Sequence, residues 1–189
     1  MMRSVYVIGG AGAGKSTFTS RLIDGLGVEY GPLEDLLALP NKKNVVTLRG
    51  HRLGEDGLYL GVKRDSFPGT DGLDRASSPV GEAWLTVGAW HPRYLIAEGA
   101  TLATTRFLGA LHRETDLLLV HLTVAPEIAA LRFEERGSQQ NAAFVAATRT
   151  RSLNRAVEIE REGGRVLSVD TADPSAVADA LLECLDHIS

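Results

Sequence analysis

Along the chain, short apolar runs alternate with stretches of helical spacing, the mark of a mostly parallel sheet covered by helices on both faces. Residues 4–8 read as the first strand, 16–26 as a helix stopping at Gly27, and 28–30 as a brief second strand. Pro32 then opens a short helix over 33–39 that ends near Pro40. From Asn44 to Lys63 the pattern changes. Val45, Val46 and Leu48 face Leu58, Leu60 and Val62 across Glu55-Asp56-Gly57, a turn between two strands, so 44–63 reads as an inserted hairpin with His51 and Arg52 near its tip. Residues 64–78 are rich in Gly, Asp, Ser and Pro and longer than a connection requires. The alternation then resumes, with helices at 79–90, 101–112, 126–136, 141–162 and 175–187 and strands at 94–97, 117–124 and 166–169. The run Leu117-Leu118-Leu119-Val120 is apolar at successive positions, as a strand buried on both faces requires.

A chain of 189 residues, 44% hydrophobic and 23% charged, fits one domain. Its core is expected at 1–40 and 79–189, around an acceptor-side segment at 41–78, with a lid at about 132–141. No apolar run reaches the roughly 18 to 20 residues that cross a bilayer, and the amino terminus lacks a long apolar region. No membrane partner and a cytoplasmic location are therefore expected, while the oligomeric state stays open between monomer and homodimer. The only cysteine, Cys184, lies in the last helical segment and reads as a small buried hydrophobe. A net charge of −4 provides no bulk attraction to nucleic acid, which leaves a local groove as the only electrostatic route to one. Among twenty basic residues only four are lysines, so the position of Lys15 carries weight.

That position closes the string Gly9-Gly10-Ala11-Gly12-Ala13-Gly14-Lys15-Ser16, a G-x-x-x-x-G-K-[ST] motif between a strand and a helix. Glycines let backbone amides wrap an anion without side-chain obstruction and aim the positive end of the helix at it. Lys15 is placed to bridge β- and γ-phosphates, Ser16 to ligate Mg²⁺ and Thr17 to meet the α-phosphate of ATP. The plainer reading is a glycine-rich turn with an incidental lysine. A metal-holding carboxylate is expected at a strand end, where Glu98 terminates Tyr94-Leu95-Ile96-Ala97 and Gly99 lets the chain turn away. Asp170 is a weaker rival, and Asp173 reads as a helix cap.

Transfer to a hydroxyl calls for cations over the migrating phosphoryl group. Arg132 and Arg136, four apart on one helix, share a face and precede Gly137-Ser138; the competing reading pairs them with Glu127, Glu134 or Glu135 on an exposed surface. Arg149, Arg151 and Arg155 either solvate a helix or line an acceptor channel. Trp84 and Trp90 read as packing residues, and His51, His91, His112, His121 and His187 lack metal spacing.

A guanine-reading N-K-x-D is missing, since Asn41-Lys42-Lys43-Asn44 lacks the final aspartate. A short chain with a P-loop, a strand-end acid and an arginine-rich lid resembles the nucleoside and nucleotide kinases. That resemblance implies a three-layer α/β fold with a five-stranded parallel sheet of order 2-3-1-4-5. The loop Arg64-Asp65-Ser66-Phe67-Pro68-Gly69-Thr70-Asp71-Gly72-Leu73, with Leu95-Ile96-Ala97-Glu98-Gly99 and residues 132–138, is similar to phage 5-hydroxymethyluracil DNA kinases, relatives of thymidylate kinase. The similarity implies a base-borne hydroxyl in DNA as acceptor, surrounded by Arg64, Phe67, Thr70 and Asp71, with Phe67 available for stacking and Asp65 or Asp71 as the base. A free nucleoside or nucleotide is the alternative acceptor. A nucleotide-gated binding module without turnover is the alternative of another class, and a surface turn is the plainer reading of the loop.

Overall fold

The computed structural model describes residues 1–42, 44–64, 68–88, 90–135, 137 and 140–189. Strand β1 (Arg3–Gly9) runs up the middle of the sheet and is buried at every inner position. Alternate side chains feed opposite faces, as the period of two demands: Val5 and Val7 join one apolar cluster, Tyr6 and Ile8 the other. On the Val5 side lie α1 (Lys15–Gly25), through Phe18, Leu22 and Ile23, and α6 (Pro174–Ile188), through Val177, Leu181 and Cys184. On the Tyr6 side lie α2 (Ser77–Val87), α3 (Thr105–Glu114) and α5 (Ala142–Arg161), through Trp84, Phe107 and Ile159. Helix α4 (Pro126–Glu135) sits against the loop after β1.

The sheet has seven strands rather than five. With β2 (Tyr30–Asn41), β3 (Asn44–Leu53), β4 (Gly57–Leu60), β5 (Tyr94–Glu98), β6 (Asp116–Thr123) and β7 (Arg165–Asp170), its order is β2-β3-β4-β5-β1-β6-β7. The five strands from β4 to β7 are parallel and keep the expected 2-3-1-4-5 order, with β4 as the second. The brief strand at 28–30 is therefore a misassignment, whereas the expected hairpin forms, β3 and β4 pairing antiparallel from Gly50 opposite Leu60 to Leu53 opposite Gly57. Its second limb, β4, pairs parallel with β5 inside the main sheet, while Val45, Val46 and Leu48 pair with Pro40, Leu39 and Leu37 of β2.

The helix expected at 33–39 is the strand β2. Leu33, Leu36 and Leu37 have helical spacing, but pairing with β3 satisfies the backbone, and register shifts beside Leu33 and Leu37 absorb the misfit. Pro32 and Pro40 are tolerated because β2 is the sheet edge, where a missing amide proton breaks no ladder on the open side. His51 and Arg52 sit opposite Tyr59 and Leu58, not at a tip. Lys63 N–H donates to His51 Nε2 at 3.1 Å, so Nδ1 carries the proton given to Gly31 O at 2.9 Å. Arg52 bonds Glu34 and lies over the Trp90 ring at 4.4 Å; Trp90 itself follows α2 instead of belonging to it. Helix α3 starts later than expected, where Thr104 caps Phe107 N, because residues 100–102 are held by the segment at 70–71.

That segment is a single 3₁₀ turn, Thr70–Gly72, entered through Gly69 at φ 67 and ψ −142. A β-carbon on Gly69 would come within 2.5 Å of Glu98 O and 2.6 Å of Glu98 Cγ. Gly69→Ala is expected to cost about 1–3 kcal/mol through backbone strain and overlap, read as a lower urea midpoint at unchanged slope. No helix among the described residues is long and apolar enough to cross a membrane.

Candidate active site

Between β1 and α1 the chain turns through Gly12 and Gly14, both left-handed at φ 80 and φ 84. Gly14 caps α1 with no side-chain bond, so no side chain of its own fills the hollow in front of the first helical turn. The loop has no room for larger residues: a β-carbon on Gly12 would meet Phe133 Cζ at 3.0 Å and Ala129 Cβ at 3.1 Å, both on α4, and one on Gly10 would meet the Arg149 backbone at 3.3 Å. Ala13 is buried beneath the loop. Thr148 Oγ1 of α5 accepts a hydrogen bond from Ala11 N at 3.1 Å. Lys15 opens α1, and its Nζ bends back to Gly9 O at 3.3 Å and Gly10 O at 3.4 Å. Ser16 and Thr17 follow in the first turn and are exposed.

Register places the end of β5 beside this loop, with Val7 opposite Glu98. The Glu98 side chain is buried, at 3% exposure, yet accepts a hydrogen bond from Ser16 Oγ at 3.1 Å and another from Tyr59 OH at 3.3 Å, one on each oxygen. Burial raises its carboxyl above the usual 4.5, and Ser16, Lys15 and Tyr59 offset part of that rise. Burial, then the Glu98 charge, pushes the Tyr59 phenol upward, so Tyr59 stays a neutral donor. Ser16 and Glu98 thus offer two hard oxygens side by side at the helix start, the donor chemistry that suits Mg²⁺ shared with phosphate and water. No group of three or more His, Cys, Asp or Glu metal ligands exists among the described residues.

A cleft of about 650 Å³ opens from Gly9, Ala11 and Lys15 along the β5 side of the loop. Asp71 lines it, fixed by one oxygen that accepts from Ala100 N at 2.6 Å, Thr101 N at 2.9 Å and Thr101 Oγ1 at 3.3 Å. Thr70 departs from the expected arrangement. It is fully buried, its hydroxyl bonded to Tyr6 OH at 3.1 Å and Leu102 N at 3.5 Å, so it supports the turn from behind rather than facing the cleft. Arg64 is exposed and does not line the cleft. Asp65, Phe67 and Arg136 lie outside the described residues.

Arg132 does not line the cleft and has no ion pair among the described residues. Its guanidinium donates to Gly12 O at 3.0 Å, Thr171 Oγ1 at 2.9 Å and Thr171 O at 3.0 Å, bracing the loop against the turn after β7 on the opposite flank. In that turn Asp170 takes Ala172 N at 3.0 Å, and Asp173 caps α6. Of the second arginine group, Arg151 and Arg155 line the cleft while Arg149 packs its backbone on Gly10. Sequence reasoning missed Tyr59, Arg75, Phe144 and Thr148. Phe144, Thr148, Arg151 and Arg155 recur at helical spacing, a stripe that was available to be read.

A solved structure described as a gluconokinase from Sinorhizobium meliloti 1021 superposes with a TM-score of 0.50 over 98% of this chain and 91% of that one, at 15% identity, a likeness of fold alone. No curated protein matches the chain. The family described as P-loop Nucleotide Kinase3 matches residues 1–187, nearly the whole length and every element of the site. With the glycine loop, its lysine and the strand-end glutamate in place, this chain belongs to that family of P-loop nucleotide kinases.

Proposed function

We propose that the chain is an ATP- and Mg²⁺-dependent kinase that transfers the γ-phosphoryl group to a hydroxyl borne by a nucleobase, 5-hydroxymethyluracil in DNA, giving 5-phosphomethyluracil. One observation carries the reaction class: the phosphate loop, with Ser16 bonded to Glu98, ends in a cleft whose far wall holds a fixed carboxylate, Asp71. The acceptor rests on the similarity of the 64–73 loop to the hydroxymethyluracil DNA kinases. The gluconokinase shares the fold only, so the acceptor in its name is no guide here.

In this reading backbone amides of residues 9–17 cradle the triphosphate, and Lys15 swings from its carbonyl contacts onto the β- and γ-phosphates. Ser16 and Glu98 hold Mg²⁺, which supplies charge neutralisation when bound. The acceptor oxygen bonds to the γ-phosphorus as the bond to the β,γ-bridging oxygen breaks; the hydroxyl proton goes to Asp71, and ADP leaves. Arg132 keeps the loop in shape by holding Gly12 O. Labelled ATP offered in parallel to DNA containing hydroxymethyluracil, ordinary DNA, thymidine and thymidine monophosphate is expected to label the modified DNA alone. Label only in the small molecules would replace the DNA acceptor by a free nucleoside or nucleotide. ATP uptake with no acceptor-dependent ADP release would make the chain a binding module.

A further inference from the structure

The cleft carries more cationic side chains than phosphoryl transfer to a neutral hydroxyl calls for. Among the described residues Lys15, Arg75, Arg151 and Arg155 line it against the single carboxylate of Asp71, on a chain whose net charge is −4. Arg155 is occupied by Glu158, Thr105 and Ala103 O. Arg75 and Arg151 have no hydrogen bond or ion pair among the described residues. They come from different walls, Arg75 from the segment before α2 and Arg151 from α5, so two guanidiniums face one hollow with neither held in an ion pair among the described residues. Two turns before Arg151, α5 also presents Phe144 to the cleft, 51% exposed where an aromatic ring gains nothing from water.

Unneutralised guanidiniums suit phosphate, which they meet with a planar fork, and an exposed ring at a polar rim suits the flat face of a base. Two guanidiniums on different walls suit two anions set apart along a ligand. A mononucleotide brings one phosphate group, whereas a base within a strand is flanked by a phosphodiester on each side. We propose that Phe144, Arg75 and Arg151 grip a polynucleotide strand, the target base stacked on Phe144 and the neighbouring phosphodiesters held by the two arginines. The hydroxyl of that base is thereby presented between Asp71 and the glycine loop. The assignment rests on the kinase reading above, because that reading makes this cleft the acceptor side of the loop and Thr171 the other flank.

Direct binding, measured by fluorescence anisotropy without ATP, tests the grip apart from the reaction. The probe is a labelled single-stranded deoxyoligonucleotide of about twelve nucleotides, within the span of small strand-binding sites. Phe144→Ala is expected to weaken binding about tenfold, with Phe144→Trp restoring it. Arg75→Ala and Arg151→Ala are each expected to lower the slope of log affinity against log salt by about 0.7, one phosphate contact on a single strand, with Arg151→Lys keeping the slope. Thymidine monophosphate should compete at least about a hundredfold less well than the unlabelled strand, lacking the second phosphate and its released counterions. The proposal is overturned if the wild-type chain does not bind the strand, if all three alanine variants bind like wild type with unchanged slopes, or if the mononucleotide competes equally. Loosened binding in a protein that phosphorylates no DNA would instead sink the DNA acceptor of the reaction and leave the grip standing.

Discussion

Lys15→Ala should lower the rate of phosphoryl transfer by about two to three orders of magnitude, the cost of removing one preorganised charge from a developing phosphoryl transition state. Lys15 is the cation whose tether starts inside the phosphate loop, at the first residue of α1. Its Nζ now rests 3.3 Å and 3.4 Å from the Gly9 and Gly10 carbonyls, so it is stored at the loop edge and needs only a rotamer change to reach a bound phosphate. Neighbouring cations are poor substitutes, because Arg132 is committed to Gly12 O and Thr171, and Arg155 to Glu158. The loss should fall mostly on kcat, since the amides of the loop still hold the α- and β-phosphates. Lys15→Arg should fail almost as badly, a planar fork being a poor replacement for a compact ammonium against the loop. Transfer within tenfold of wild type in single-turnover assays would remove Lys15 from the chemistry.

Glu98→Gln is expected to separate stability from activity. The two partners of Glu98 are hydroxyls, Ser16 and Tyr59, which can turn from donor to acceptor and meet an amide as readily as a carboxylate. What disappears is the buried charge and, with it, the anionic ligand proposed for Mg²⁺. Phosphoryl transfer should fall about a hundredfold, with a higher Mg²⁺ concentration needed for half-maximal rate. The pH dependence of melting has a definite sign. A carboxyl whose folded value is raised above 4.5 contributes stability that is fully present below 4.5 and is lost as the pH rises through the folded value. Without nucleotide, wild type should therefore melt below Glu98→Gln at about neutral pH, and the gap should close toward pH 4.5. A variant that melts lower than wild type at every pH would show that the hydrogen bonds outweigh the charge.

Much of this molecule was legible in its order of residues. Alternation of apolar strands and helices set the fold class, and the glycine string between a strand and a helix marked the phosphate loop, because both signals are local and need only a few neighbouring residues. The helix at 142–161, with its Asn141 cap, was read to within a residue for the same reason. What the order of residues could not decide was partnership. Leu33, Leu36 and Leu37 repeat at helical spacing, and only the arrival of β3 alongside makes them a strand. Gly57–Leu60 reads as a hairpin limb and is one, but only β5 lying parallel to it makes it a strand of the core sheet as well. Arg132 had the look of a phosphate cation, yet the turn after β7 offers it two oxygens of Thr171. Thr70 had the look of a ligand contact, yet Tyr6 and Leu102 take its hydroxyl inside. A side chain's role at such places depends on which distant backbone or hydroxyl reaches it first. Sequence determined the central strands, the helices after residue 76 and the anion cradle; the packing of the sheet edge and of α5 over the loop decided the rest, including which polar groups face the cleft, since burial and hydrogen-bond competition exist only once those elements meet.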